Sequence, residues 1–497
     1  MFAYFKNFIK HSTLYAIGNG ISRGAGIVLV PLYTRALLPA EYGALEMFYV
    51  TASVLRTFLG LMIANATIRF YFEYDSEIER KRVVSTSLIS SIVISTAAVL
   101  LLNGFIDKLS LLVFKSLEYK DLFNLVFIAV VMELSREISL AYLRAREKSF
   151  LYISVALAQL FFQAGLNLYF VLGLKLGIKG ILIGNVISIF ITWLILMVVT
   201  FKYCGFNFHV AKLRVFLKYC FPFVLSAFTG IVINNADRVI LNSYTSLAVV
   251  GIYALGMKFG IVIKELVVEP FTLNFGQSRF AIMAQGDAKN IYARTMTYYV
   301  FIIMFLSLGI SLFAKEIVSV IASAEFEQAY QVIPLVLLLV VFNGMTYIFQ
   351  TGMLIKKETK FAFYVSVFSA ISVLALNRWL IPTFGLYGAA ASSLIVSLFN
   401  ALLTCVASNK FYPVKYEFWR LIKIFFAAGI IYLAAGVFIK AQGTHVFLTK
   451  VILFLSFPLS LHLMAFYRGG EKNKINSYRQ RVGKFIYGKL RFGDGAL

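Results

Sequence analysis

Apolar stretches of about twenty residues recur along this chain, separated by short polar segments rich in Lys and Arg. They show neither the strict alternation of a half-buried strand nor the narrow stripe of a surface helix. A run of about 20 apolar residues crosses a hydrocarbon core about 30 Å thick as an α-helix. In lipid a helix satisfies its own backbone hydrogen bonds, so helices are the expected element. The pattern predicts about fourteen spans: Ser12–Leu38, Tyr42–Asn65, Val83–Phe105, Leu122–Tyr142, Leu151–Leu172, Leu176–Phe201, Phe216–Leu241, Leu247–Pro270, Thr295–Phe313, Val332–Ile355, Phe361–Ile381, Leu386–Ser408, Phe418–Ile439 and Val446–Phe466. The expected fold class is an all-α polytopic membrane protein.

Composition agrees. Mean hydropathy is +0.83, and only 14% of residues are charged, where a soluble domain carries about 25%. The net charge of +24 raises nucleic acid as a partner, but the placement of the charges argues against it. With the N-terminus in the cytoplasm, 31 of the 47 basic residues fall on inner segments and the tail, and 10 on outer segments. That bias puts both termini inside and requires an even number of spans. The basic start Met1–Lys10 leads into an apolar run too long for a signal peptide and without a small-residue cleavage site, so it reads as a retained helix. Cys204, Cys220 and Cys405 show no metal spacing and fall at predicted cytoplasmic ends, where thiols stay reduced.

A long internal repeat runs through the spans. Leu176-Gly177-Ile178-Lys179-Gly180 matches Phe384-Gly385-Leu386-Tyr387-Gly388, and Tyr42-Gly43-Ala44-Leu45 parallels Val250-Gly251-Ile252-Tyr253, each pair 208 residues apart. Arg146-Glu147-Lys148-Ser149-Phe150 resembles Lys357-Glu358-Thr359-Lys360-Phe361. Six spans separate equivalent points, so the copies are parallel, related by an axis along the membrane normal. The expected domains are an N-lobe of six helices at 1–205, a C-lobe of six at 206–409, two extra helices at 410–467 and a basic cytoplasmic tail at 468–497. Within that tail, Ile475, Tyr478, Val482, Phe485 and Tyr487 among basic residues fit a helix lying on anionic lipid, or a solvated tail.

Six basic residues remain, set deep within spans: Arg23, Arg56, Arg136, Arg238, Lys258 and Lys264. Glu46, Glu133, Glu137, Asp237, Glu265 and Glu269 accompany them. A charge at the bilayer centre costs about 2.5–3.5 kcal/mol on insertion scales, so these groups face protein or a wet cavity. The repeat register sets Arg56 opposite Lys264, at matching depth in the two lobes. Arg23, Arg56, Lys264, Lys258 and Arg238 are the candidate ligands for an anionic substrate, which the resemblance named below makes a diphosphate. Snorkelling is the bland reading for Arg23, and internal salt bridging for Lys258 and Arg238. Glu133 and Arg136, at i,i+3, are expected to pair along one helix. Glu46, Asp237, Glu265 and Glu269 are candidates for coupling to H+ or Na+. Asn19, Asn65, Asn167, Asn234, Asn235, Asn343 and Asn377 are candidate polar ligands in a wet groove, or else satisfy neighbouring helix backbones.

Pro31-Leu32-Tyr33-Thr34-Arg35-Ala36-Leu37-Leu38-Pro39-Ala40-Glu41-Tyr42-Gly43 resembles the opening of Wzx-type polysaccharide-unit flippases, members of the MATE-like superfamily that also holds multidrug-and-toxin extruders and lipid II flippases. Asp237-Arg238-Val239-Ile240-Leu241, followed by Val250-Gly251-Ile252-Tyr253, is a second matching element. The resemblance implies a MATE-like pair of lobes alternating between inward- and outward-facing states. It implies a cargo of undecaprenyl-diphosphate-linked glycan carried to the periplasmic leaflet of a bacterial inner membrane, for O-antigen, lipopolysaccharide or similar surface polysaccharide. A polysaccharide polymerase and a chain-length regulator are the implied partners besides membrane lipid. No P-loop and no catalytic constellation is visible, and His11, His209, His445 and His462 are scattered, so a transporter without cofactor is expected. Two rivals remain: an ion-coupled multidrug or metabolite antiporter, which expects an acidic cavity, and a non-transporting scaffold of a polysaccharide assembly complex.

Overall fold

The structure is a computed structural model; residues 29–440, 446–468 and 471 are described. The chain is helical throughout those residues. In order the helices are α1 (Val30–Ala36), α2 (Pro39–Gly60), α3 (Ile63–Glu73), α4 (Glu77–Asn103), α5 (Ile106–Phe114), α6 (Leu122–Ala145), α7 (Ser149–Asn167), α8 (Gly177–Cys204) and α9 (Val210–Tyr244). There follow α10 (Leu247–Ile263), α11 (Glu269–Met283), α12 (Ala288–Leu312), α13 (Ala314–Ile321), α14 (Ile333–Phe349), α15 (Thr351–Ile355), α16 (Lys360–Phe411), α17 (Phe418–Lys440) and α18 (Val446–Leu463). Among the described residues, 11 helices are long and apolar enough to cross a membrane. The protein is a multi-pass membrane protein.

The expected fourteen spans map onto these helices unevenly. Most of the first span lies outside the described residues. The Leu122–Tyr142 span is α6, whose middle carries Glu133, Arg136 and Glu137. The two spans from Phe361 to Ser408 form the 52-residue α16, which is not one rod. Gly385, at φ 51° and ψ −122°, breaks it, and the chain doubles back. The amide of Asn400 donates to Ser369 Oγ at 3.0 Å, and Ser392 donates to Asn377. In a straight helix Ser369 and Asn400 would stand about 46 Å apart.

Two helices are interrupted at equivalent depths. After α2, Leu61 and Met62 take left-handed φ of 45° and 55° before α3 continues. After α10, Lys264–Val268 forms a π-helical turn before α11, with Pro270 just inside it. Such breaks disturb the i→i−4 ladder and bend a helix locally.

The chain forms two compact units, one of residues 1–286 with 314–413 and the other of 287–313 with 414–497. In the second unit α12, α17 and α18 pack through Phe rings. Phe305 stacks on Phe454 at 4.3 Å, and Gly309 leaves room for the Phe454 ring. Arg420, 7% exposed, is held by Glu417 and Glu471, each at 2.9 Å. Apart from Arg468 and Glu471, the tail expected at 468–497, with its membrane-surface reading, lies outside the described residues.

The first unit contains the repeat, and its contacts are reciprocal. A Cβ on Gly43 would meet Leu247 O at 1.8 Å; one on Gly251 would meet Pro39 O at 2.1 Å. Pro39 and Leu247 are themselves 208 residues apart, so α2 and α10 touch about a two-fold axis. Thr34 Oγ1 donates to Ile321 O at 3.0 Å, and the amide of Asn242 donates to Val113 O at 2.6 Å. Both donors and both acceptors are again 208 apart. At the Glu147 and Lys357 turns, residues of left-handed φ, the closing bonds Lys148 N–H to Leu143 O and Glu358 N–H to Met353 O fix a local offset of 210. The sequence motifs aligned one residue off there, because the second repeat has one extra residue before its next helix. The α7–α8 and α16 hairpins correspond likewise: Gly180 packs on Phe170, and Gly388 on Leu380.

Candidate functional site

The site begins with Pro39 at the first turn of α2. Glu41 reaches back to accept from Leu38 N–H at 2.9 Å. From there α2 presents Tyr42, Glu46, Tyr49 and Arg56 along one face, at spacings of four, three and seven residues. That face lines a cavity of about 460 Å³ within the first repeat. From α6 come Val126, Val130, Glu133 and Arg136, from α7 Gln159 and Gln163, and from α8 Asn185 and Ile189. Tyr33 stands just before α2 and Lys258 enters from α10.

The polar groups on this wall are connected. Arg56 meets Glu133 at 2.5 Å. Arg136 donates to Gln159, whose Oε1 also accepts from Thr192 at 2.7 Å. Gln163 donates to Asn185 at 2.9 Å, and Asn185 to the Tyr49 hydroxyl at 3.3 Å. The pairing expected between Glu133 and Arg136 is therefore corrected. Glu133 reaches across the cavity to α2, and Arg136 takes the amide of α7. A charge on a helix facing a cavity can choose partners from several helices, and the i,i+3 neighbour is only one of them.

A second, larger cavity of about 860 Å³ lies on the other side of the α2–α10 contact. Asn234, Asn235 and Arg238 of α9, Lys264 and Glu269, Thr272, Asn343 and Tyr347 line it, with Ser53 from α2. Because α2 and α10 form the wall between the cavities, adjacent residues face opposite ways. Ala52 fronts the first and Ser53 the second; Lys258 fronts the first, and Met257 the second.

Arg56 and Lys264, equivalent in the repeat, were expected on one chamber. The structure puts Arg56 on the first cavity and Lys264 on the second. A two-fold axis through the α2–α10 contact carries equivalent residues to opposite sides, so equal depth does not mean convergence. Lys264 is 54% exposed, with Glu269 at 4.0 Å. Lys258 and Arg238 belong instead to a buried ion cluster. Lys258 Nζ is 2.7 Å from Glu46, and Arg238 is 3.9 Å from both Glu46 and Asp237. Asp237 also accepts from the Tyr253 hydroxyl at 2.5 Å. Two cations and two carboxylates from α2, α9 and α10 thus join the repeats, the salt-bridging alternative named for these two residues. Removing one member of such a cluster strands a buried charge, at about 3–5 kcal/mol. Of the other coupling candidates, Glu265 follows Lys264 in the π turn and Glu269 lies beside Lys264. Arg23 lies outside the described residues.

The asparagines divide. Asn234, Asn235 and Asn343 line the second cavity. Asn167 and Asn377 are fully buried in the two hairpins, where Asn167 donates to Tyr33 and Asn377 accepts from Ser392. Asn65 is exposed, and Asn19 lies outside the described residues. Missed by sequence reasoning were Gln159, Gln163, Asn185 and the tyrosines. The i,i+4 pair of glutamines within a strongly apolar span was the available signal. All three cysteines are free and buried.

No curated protein sequence matches this chain. Among solved structures, the lipid II flippase MurJ in an inward closed conformation superposes with a TM-score of 0.73 at 16% identity, covering 92% of this chain and 100% of that one. An inward-facing multidrug resistance MATE family transporter of the MOP superfamily gives 0.63 at 13% identity, covering 78% and 94%. A MOP superfamily transporter from Pyrococcus furiosus gives 0.54 at 15% identity, covering 81% and 95%. The chain therefore has the MurJ- and MATE-like fold. The profile of one family, described as "Polysaccharide biosynthesis protein", matches residues 8–273. That match takes in more than half the chain, from the first span through the α2–α10 contact to the π turn at Lys264, and the chain belongs to that polysaccharide biosynthesis protein family.

Proposed function

We propose that this protein is a flippase that moves an undecaprenyl-diphosphate-linked oligosaccharide from the cytoplasmic to the periplasmic leaflet of a bacterial inner membrane by alternating access, supplying cell-surface polysaccharide synthesis such as that of O-antigen. Family membership supports the pathway, and the likeness of fold to a lipid II flippase supports a lipid-linked cargo. The single observation that carries the reading is the pair of polar, cation-bearing cavities on either side of the α2–α10 contact, inside helices otherwise built of apolar residues. The drug-antiporter rival expects a predominantly acidic cavity; here three cations face two carboxylates in the first cavity, and Arg238 and Lys264 face Glu269 in the second.

Lys264 is the most open described cation of the candidate set and meets the diphosphate by charge-assisted hydrogen bonds. The sugars occupy the wet cavities while the polyprenyl tail stays in lipid. Parting of the lobes breaks the Gly43–Gly251 contact and the Thr34 and Asn242 hydrogen bonds. The test is export of the lipid-linked glycan in cells carrying Lys264→Ala at wild-type protein level. Loss of export with accumulation of the lipid-linked precursor is expected; normal export would overturn the assignment of Lys264, and normal surface glycan in a deletion strain would overturn the flippase reading.

A further inference from the structure

The duplicated fold provides its own control. With offsets of 208 on α2 and α8 and 210 on α6 and α7, each residue of the first cavity has a counterpart in the second repeat. Tyr49 corresponds to Met257, Glu133 to Asn343, Gln163 to Val373 and Asn185 to Ser393. Those four counterparts line a small cavity of about 60 Å³, and two of them, Met257 and Asn343, also line the adjoining cavity of about 860 Å³, where Lys264 takes the place of Arg56. The second repeat therefore lines its own space with smaller or less polar residues at these positions. Folding does not require the larger polar set of the first repeat. A volume near 460 Å³ is within the range of small-molecule sites.

The chemistry of the lining narrows the ligand. An anion needs unneutralised cations, but Arg56 is 2.5 Å from Glu133 and Lys258 is 2.7 Å from Glu46, which leaves only Arg136, bonded to the neutral Gln159 amide, to offer charge. A metal cation needs converging carboxylates, and among the described residues no group of three metal-ligating side chains occurs. What remains is interleaved donors and acceptors: amides of Gln159, Gln163 and Asn185, the Arg56–Glu133 pair, and tyrosine rings. Arg136 Nε is buried without a hydrogen-bond partner. Vicinal hydroxyls, each both donor and acceptor, match such a wall, and aromatic faces match the C–H face of a sugar ring.

We propose that the first-repeat cavity is a saccharide-reading subsite that takes a neutral pyranose unit of the cargo through Gln163, Asn185 and the Arg56–Glu133 pair. The proposal rests on the flippase reading and adds to it which half of the protein selects the sugar.

The test uses the full-length protein in a sugar-free detergent. Its probes are a panel of methyl pyranosides (glucose, galactose, mannose, rhamnose, fucose, N-acetylglucosamine, N-acetylgalactosamine) read by saturation-transfer NMR, and inorganic pyrophosphate read by thermal shift. The variant is the double substitution Gln163→Val with Asn185→Ser, which installs the residues the second repeat already uses at those places. At least one pyranoside is expected to bind the wild type and to bind the variant roughly tenfold more weakly, as loss of two neutral hydrogen-bonding groups implies. A melting temperature near wild type checks that the variant is folded. No pyranoside binding to the wild type, or equal binding to both proteins, overturns the proposal. So does loss of pyrophosphate binding in the variant, which would make the cavity an anion site. The flippase reading fails separately, through normal surface glycan in the deletion strain.

Discussion

The closest approach of the two repeats is a contact between backbones, and it makes Gly43→Ala a sharp perturbation. The added Cβ would lie 1.8 Å from Leu247 O, whereas ordinary contact begins at 3.4 Å. The obstructing atom is main chain and cannot rotate away, so α2 and α10 must move apart locally by up to 1.6 Å. A radial gap of 0.5–1 Å already forfeits roughly a quarter to a half of each neighbouring van der Waals contact. Overpacking of this kind costs about 1–3 kcal/mol, and the upper end applies because two helices must shift together. Alanine recovers about 1 kcal/mol of helix propensity. The net expectation is a loss of about 2 kcal/mol from the closed contact. Gly251→Ala should do the same through Pro39 O, at 2.1 Å. Gly429→Ala is the matched control: its Cβ has nothing within 4 Å, so it should leave stability unchanged or raise it. The assay is thermal unfolding of the solubilised protein, alongside disulfide trapping of a cysteine pair placed across the α2–α10 contact. Lower melting temperatures and slower trapping are expected for both interface variants. Melting and trapping indistinguishable from wild type in Gly43→Ala would refute the reciprocal helix contact.

Other expectations follow from the same geometry. Glu46→Leu strands Lys258, while Arg238 keeps Asp237, and should cost about 3–5 kcal/mol in unfolding; adding Lys258→Met should restore much of it, and a double-mutant cycle without coupling would contradict the cluster. Thr34→Val and Asn242→Ala each remove one reciprocal hydrogen bond, so each should lower stability by about 1 kcal/mol; a large effect from one alone would argue against their equivalence. Gly385→Ala meets no atom within 4 Å, so its cost of about 1–3 kcal/mol is backbone strain at φ 51° alone, and an unchanged melting temperature would show that α16 does not reverse there.

Much of the fold was legible in order along the chain, because hydrophobic length and basic-residue placement are local properties that a bilayer reads directly. The repeat was legible too, and for a structural reason. Gly43 and Gly251 are kept small by each other's helix, and Gly385 by a backbone conformation that side chains disfavour. Span ends were less legible. The helical segments at Pro39–Glu73 and Leu247–Met283 run well past their apolar cores, with Arg69, Glu73 and Arg279 near their ends.

The residues of the cavities were only partly readable. A sequence fixes how deep in a helix a charge lies, so it found Arg56, Arg238, Lys258 and Lys264 and the price of burying them in lipid. It does not fix the azimuth at which that helix meets its neighbours. Packing at the Gly43–Gly251 contact sets that angle, and with it sends Arg56 and Lys264 to opposite cavities and draws Lys258 and Arg238 onto Glu46. The sequence alone determined which charges are buried among the spans; only the tertiary structure decided which of them meet, because a rotation of a few tens of degrees about a helix axis changes every partner without changing a single depth.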